Sequence, residues 1–561
     1  PWFGPDLPEA HAVLSDPAPV DLKRKAEIYK QVLSLLLAQR RPSYYLLDGR
    51  ADLKVLADQY LRLLAAGGVI DVELKDAALA ADLRFLKEPP ALGPVSFISQ
   101  KASGTIRTEL LRLLKLGSLY DLDRLDLSVD TTFDSDTQKD ISEVLANVGK
   151  RDEAKARGLT GPNLLGNEDP ANVKYSVVLY EKGLDRNYVR IHADSLDQPF
   201  DLNSGAKLIL GSTAKFRTLV TYLDIIARLH DRHAEASAAE LRKLTGRDTD
   251  PLTRWVAGYL PTAKDKSLQP IPAAAMQRRY SSNPGERFFT GGGVHSFSNF
   301  QRSDNGKNPT VEDAVTTSNN LAFIRIMRDI RDFYLDEEER NADKEGAQAT
   351  LRTDYLTRFA DQEGKTYLNR FYDEFKGKAP DAVLTAMVNK TRKVPRRLAI
   401  VYRSMKPEAS EADLRQFLYK ALPKSKLTPK AIASLYDGAA IDKYSLADRA
   451  YLAGVHPLQL WLAAYLQDHP GATRTEVTEA SVAERQDAYA WLFKTKSARK
   501  QDVRIRVLRE QDAFRQIHLD WRKQGYPFAF LVPSLATAIG SSGDRPGAPA
   551  HLVGIIMNDG V

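Results

Sequence analysis

The chain has 561 residues, 43% hydrophobic and 27% charged, with 80 Lys and Arg against 73 Asp and Glu and a net charge of +7. This composition fits a globular protein of about three or four domains, or two with large insertions, and excludes a disordered, collagen-like or disulfide-built chain; so small a positive excess does not itself indicate nucleic acid. The absence of cysteine excludes thiol catalysis, thiolate metal sites and disulfides, and suits an oxidising compartment.

No apolar run reaches the ~18 residues of a membrane span, and no signal peptide is visible in the sequence. The first residue, Pro1, is not Met, so the chain reads as an excised segment whose targeting sequence lies upstream. Residues 21–90 read as helices. Leu22, Ala26, Tyr29, Val32, Leu33 and Leu36 recur at helical spacing, as do Leu53, Leu56, Leu61, Leu64 and Ala65. Gly67-Gly68 ends the second helix, Asp71 caps a third, and the Pro/Gly-rich stretch from Glu88 to Pro94 marks a boundary. In a connector at 91–170, Leu127 to Phe133 alternates like a strand and Ser135 to about Val148 reads as a helix. Tyr175 to Tyr180 and Tyr188 to Ala193 flank a turn at Gly183 and predict an antiparallel hairpin. From 331 to 525 the chain is helical and charge-laced without a fixed repeat, a large insertion between an α/β-like part at 171–330 and its continuation at 526–561. Trp461 and Trp491 sit among apolar residues of this insertion and read as core. The fold class is α+β, with an antiparallel sheet and helices, a helical insertion and a helical N-terminal part.

The sharpest local feature is Leu208-Ile209-Leu210-Gly211-Ser212-Thr213-Ala214-Lys215-Phe216. Phe216, Leu219, Val220, Leu223, Ile226 and Ala227 continue it as a helical stripe, so Ser212 stands at a helix start with Lys215 one turn later on nearly the same face. That spacing suits a nucleophile and its base: serine needs a neighbour to take its proton, and a desolvated lysine can do so. The helix N-terminus adds positive dipole where an oxyanion would form. An N-cap serine followed by a surface lysine has the same spacing. Ser204…Lys207 lies in a polar loop without its own helix, and Ser497…Lys500 lies in a basic helical stretch that reads as a solvated face.

Ser318-Asn319-Asn320 joins two apolar helical stretches, where a serine can relay a proton and an amide can orient a lysine; capping is the alternative role. Ser281-Ser282-Asn283 has the same pattern but runs into the turn Pro284-Gly285. His230 and His233 have metal-ligand spacing but no third ligand, and read as a polar helix end. Gly291-Gly292-Gly293 lacks a following Lys-Ser/Thr and reads as a loop, and the basic run at 494–506 contains Asp502 and no interleaved aromatics, which disfavours nucleic acid.

Taken together, these elements resemble the transpeptidase module of class A (bifunctional) penicillin-binding proteins, with their Ser-x-x-Lys, Ser-x-Asn and Lys-Thr-Gly set. Val129-Asp130-Thr131-Thr132-Phe133-Asp134 with Gln138, the hairpin at Tyr175 to Ala193, Gly211 to Phe216, Val311 to Leu321, and Ala536 to Asn558 with Gly560 carry the resemblance. Arg41-Pro42-Ser43-Tyr44-Tyr45, the helix around Leu61 and Gly67-Gly68-Val69-Ile70 look like the tail of the lysozyme-like glycosyltransferase module. The likeness covers roughly residues 1–325 and 526–561, with Leu210 where the family usually has proline. The glycosyltransferase glutamates are expected upstream of Pro1. The third motif, whose strand lines the cleft and contributes to the oxyanion hole in the family, is expected beyond Val561. Lys243-Leu244-Thr245-Gly246 and Gly364-Lys365-Thr366-Tyr367 are poor substitutes for it.

The resemblance implies a serine transpeptidase or β-lactamase-like fold and a peptidoglycan D,D-transpeptidase. In it Ser212 attacks, Lys215 is the base, Ser318 passes the proton to the leaving D-alanine and Asn320 positions lysine and substrate. It implies stem peptides and glycan strands as partners, β-lactams as covalent inhibitors, and no metal or organic cofactor. It also implies a place on the periplasmic side of the bacterial inner membrane, with an upstream anchoring helix. A D,D-carboxypeptidase and a non-catalytic cell-wall scaffold are the alternatives. The length of the insertion suggests that it binds cell-wall synthesis proteins.

Overall fold

The structure, a computed structural model, describes residues 2–5, 7–15, 21–86, 96–161, 164–344, 348–495 and 497–560. The chain is mixed α and β with helix dominant, and the described residues hold two small antiparallel sheets. It divides into two compact units, Pro1–Phe97 and Ile98–Val561. Among the described residues no helix is long and apolar enough to cross a membrane. The boundary expected at Glu88 to Pro94 lies outside the described residues.

The first unit is built from helices. Asp21 caps Leu22–Ala38, its carboxylate accepting from the Lys23 amide at 3.1 Å. Arg50–Ala66 ends at Gly67, and Val72–Ala80 follows Asp71. The buried face of Leu22–Ala38 is turned from the one the apolar spacing suggests: Ala26, Lys30, Ser34 and Leu37 are inside, while Leu22 and Leu36 are exposed. Arg50–Ala66 and Val72–Ala80 pack against it, as does Leu7–Ser15, and small side chains let the backbones approach. The buried Lys30 ammonium is paired, 2.8 Å from Asp58 Oδ1 and 2.7 Å from the Ala81 carbonyl.

In the second unit Asp134 caps Ser135–Asn147, accepting from the Thr137 amide at 2.8 Å. That helix packs on a hairpin of Ser176–Lys182 and Asn187–Asp194, which pairs from Ser176↔Asp194 to Lys182↔Asn187 with an irregularity between Leu179 and Tyr180. The predicted strand at Leu127 to Phe133 is not formed. The chain there runs beside Asn187–Asp194, touching it through the Thr132 hydroxyl on the Val189 carbonyl at 2.8 Å and, just beyond, one backbone bond from Asp134 to Arg190 at 3.0 Å. Leu127 and Val129 are exposed, so no buried face holds a ladder in register.

The principal core joins the long helices Ala214–His233, Asn320–Lys344 and Ala498–Lys523 with the shorter Pro251–Tyr259, Pro270–Met276 and Val311–Thr316, among others. Tyr222, Ile226 and Leu229 meet Phe323, Met327 and Phe333 there, together with Phe514, Ile517 and Trp521. A second core, drawn from Ala360 to Tyr489, belongs to the helices in between. The helices at the two ends of the 331–525 stretch, Asn320–Lys344 and Ala498–Lys523, contribute side chains to the principal core. Trp461 packs partly buried against the second core. Trp491 does not; it is exposed, a correction to its reading as core, because Arg504 and Lys500 rather than apolar side chains cover its ring.

Candidate active site

Two local structures build the site. In the first, Leu208 pairs with Asp544 through backbone bonds of 2.9 and 2.7 Å. The chain then turns at Gly211, with φ +56°, into a single 3₁₀ turn, Gly211–Thr213, that runs into Ala214–His233. Ser212 is exposed on that turn and its hydroxyl caps nothing, whereas Lys215 is buried. In the second, Thr310 and Asp313 form a capping box on Val311–Thr316, and Ser318 takes a left-handed φ of +54° before Asn320–Lys344 begins. The caps of this last helix come from other amides. Asn319 Oδ1 accepts from the Ala322 amide and Asn299 Oδ1 from the Leu321 amide, both at 3.0 Å. Capping thus makes no demand on Ser318 or Asn320, whose side chains turn to Lys215.

Lys215 Nζ lies 3.2 Å from Ser212 Oγ, 2.9 Å from Ser318 Oγ and 2.7 Å from Asn320 Oδ1, and it also donates to the Ser318 carbonyl. Asn320 Nδ2 donates to the Ser298 carbonyl at 3.1 Å, which orients the amide oxygen toward the lysine. Burial pushes the Lys215 ammonium down to about 8, since a desolvated site disfavours the charged form. The Ser318 carbonyl and Asn320 Oδ1 are pure acceptors, so they take the two N–H bonds of a neutral amine. Its lone pair is then left to accept from a serine hydroxyl, and Ser212 Oγ–H is in reach. This arrangement can activate a hydroxyl for attack and hand its proton on.

The Ser212 turn is held from behind. A Cβ on Gly540, whose φ is +105°, would come within 2.5 Å of the Gly211 carbonyl oxygen and 2.7 Å of its Cα. Only glycine permits so close an approach of the two backbones. Arg217, fully buried, donates to Asp544 Oδ2 at 2.6 Å and to the Gln524 carbonyl at 2.7 Å. Arg217, Gly540, Asp544 and Asn299 belong to no local motif that marks them as part of a site. Arg217 interrupting an apolar stripe and Gly540 in a small-residue run are visible signals, but their partners lie far off in the chain.

The other candidates lie elsewhere. Ser204 Oγ donates to Asp201 at 2.7 Å while the Lys207 ammonium sits 4.8 Å over the Phe528 ring, so this pair diverges. Ser497 precedes the Ala498–Lys523 helix, and Lys500 faces Trp491. Lys243 ends the short Ala238–Lys243 helix, and Gly364 to Thr366 lie within Gln348–Phe375, where Lys365 pairs with Asp361 at 2.7 Å. Asn283 Oδ1 accepts from the Gly285 amide at 2.8 Å in its turn. His230 Nε2 faces the Lys266 carbonyl at 2.7 Å, and burial lowers the His233 imidazole. Gly291 and Gly292 form the turn between strands Phe288–Thr290 and Gly293–His295. The chain matches no family model, no curated protein and no solved structure.

Proposed function

We propose that the chain carries the acyl-transfer site of a peptidoglycan D,D-transpeptidase of the class A penicillin-binding type. The observation that carries this reading is the meeting of Ser212, Ser318 and Asn320 on one desolvated lysine, Lys215. Lys215 takes the Ser212 hydroxyl proton as Oγ attacks the penultimate D-Ala carbonyl of a stem peptide. The amide C–N bond breaks, and the departing D-alanine receives a proton through Ser318. Asn320 holds the lysine and the substrate amide in place. An amine of a neighbouring strand then attacks the acyl-enzyme, forming the cross-link and returning the proton to Ser212. β-Lactams acylate the same Oγ as substrate mimics.

In this reading the described part of residues 98–561 belongs to a serine transpeptidase fold with a helical insertion. The first unit is the tail of a glycosyltransferase-like module, and the site works on the periplasmic face of the inner membrane. Covalent labelling by a fluorescent penicillin tests it on the natural protein. Label is expected on the native form, absent from Ser212→Ala, and slowed about 10²–10⁴-fold in Lys215→Met, the usual size of a general-base contribution. Absence of label from the native protein overturns the reading. Release of D-alanine without cross-linked product from a labelled, active protein would reassign it as a carboxypeptidase.

A further inference from the structure

One exposed face takes no part in the Ser212 chemistry. It combines the Ala490–Lys494 helix, the first half of Ala498–Lys523 and the hairpin of Phe288–Thr290 and Gly293–His295. Helical periodicity puts Arg499, Val503 and Arg506 on one side, with Lys500 next to them, and all four are exposed. The basic run has no aromatic residue of its own, but the fold supplies rings from elsewhere. The Arg506 guanidinium lies 4.0 Å over Phe289, and Trp491 has Arg504 at 5.4 Å and Lys500 at 5.9 Å. Phe289 pairs with Val294 across the hairpin, which puts both side chains on one face. Val294, Val503, Trp491 and Phe493 are 62%, 46%, 45% and 37% exposed. Asp502, the one carboxylate between Lys494 and Arg506, is paired with Arg352 at 2.7 Å.

We propose that this face docks on an anionic lipid bilayer. Lys494, Arg499, Lys500 and Arg506 present positive charge, which anionic headgroups complement; the carboxylates facing Arg506, Asp332 and Glu510, are shared with Arg331. The exposed Trp491, Phe493, Val503 and Val294 among them suit the headgroup boundary, where an apolar body and a charged rim are both satisfied. A nucleic acid is the competing occupant. Single strands bind by stacking bases on open aromatic faces, and here Phe289 and Trp491 already carry cationic side chains over their rings. The proposal is independent of the chemistry assigned to Ser212.

Vesicle sedimentation of the chain tests it, comparing phosphatidylcholine alone with phosphatidylcholine containing about 30% phosphatidylglycerol. The expected result is at least about tenfold tighter binding to the anionic vesicles, falling steeply between about 0.1 and 0.5 M salt. Combined Arg499→Glu, Lys500→Glu and Arg506→Glu should weaken that binding at least about tenfold. Combined Lys424→Glu, Lys426→Glu and Lys430→Glu, equal in charge change at exposed positions outside the face, should weaken it less than about twofold. Trp491→Ser leaves the charge alone; it should weaken binding and remove a vesicle-induced blue shift of tryptophan emission. Equal binding to both vesicle types overturns the proposal, as does an equal loss in the two triple variants. A single-stranded oligonucleotide that binds more tightly than the anionic vesicles, and is released by the Arg499, Lys500 and Arg506 reversals, reassigns the face to nucleic acid.

Discussion

Arg217 and Asp544 stand 327 positions apart in sequence, and Arg217 Nε meets Asp544 Oδ2 at 2.6 Å with the guanidinium fully buried. The pair ties the helix of Lys215 to the segment whose backbone pairs with Leu208, so both approaches to the Ser212 turn are fastened by one contact. Such a pair adds little net stability when intact, because desolvation offsets attraction, but losing one partner strands a buried charge. Arg217→Ala should therefore destabilise the chain by about 3–5 kcal/mol. Asp544→Asn, which keeps an acceptor, should cost less; urea unfolding of the two variants checks the order.

The base predicts a pH profile. Burial takes Lys215 from 10.5 to about 8, and the neutral amine is the form that accepts a proton. The acylation rate of Ser212 should rise with pH through about 8 and level off above it. For stability, the unfolded chain holds its proton up to 10.5 while the folded chain releases it near 8, so the unfolded state binds more protons between them. Stability should rise with pH across that window, the contribution being complete above 10.5 and lost as pH falls through 8. Melting curves of the native chain and Lys215→Met, compared over this range, should diverge in that sense. An acylation rate flat between about pH 7 and 9 would count against a neutral lysine as base.

Gly540 predicts a packing defect next to the nucleophile. In Gly540→Ala the new methyl meets Gly211 backbone atoms at 2.5–2.8 Å on a backbone with φ +105°. The expected cost is about 1–3 kcal/mol, together with slower penicillin acylation as the Ser212 turn is pushed aside. Gly104 is the control: it lies within Lys101–Leu114 with nothing near its missing Cβ. Gly104→Ala should stabilise the chain by about 0.5–1 kcal/mol and leave acylation unchanged.

Ser318 pits stability against function. Its φ of +54° is costly for a side-chain-bearing residue, yet that turn brings both its carbonyl and its hydroxyl to Lys215. Ser318→Gly should raise stability by up to about 1 kcal/mol while lowering the acylation rate. Differential scanning calorimetry and a penicillin time course on the same sample read both effects.

What the sequence by itself determined is the short-range structure. The helical period set the Ser212 and Lys215 spacing and the segments flanking Ser318 and Asn320, and it placed the helix that starts at Ser135; Asp71, the expected cap, stands before Val72–Ala80 but its side chain makes no capping hydrogen bond. The β-rich runs of Tyr175 to Tyr180 and Tyr188 to Ala193 about Gly183 specified a hairpin. These depend on neighbours within a turn or a strand, which local propensity and pattern encode. Only the tertiary structure decided that Lys215 and Ser318, 103 positions apart, share a hydrogen bond. It also separated the desolvated Lys215 from Lys207 and Lys500, placed the Ala498–Lys523 helix in the principal core, and left Leu127 to Phe133 without a ladder. The physical reason is that burial, and with it the pKa of a lysine or the partner of Arg217, is set by surfaces folded against a residue from distant parts of the chain.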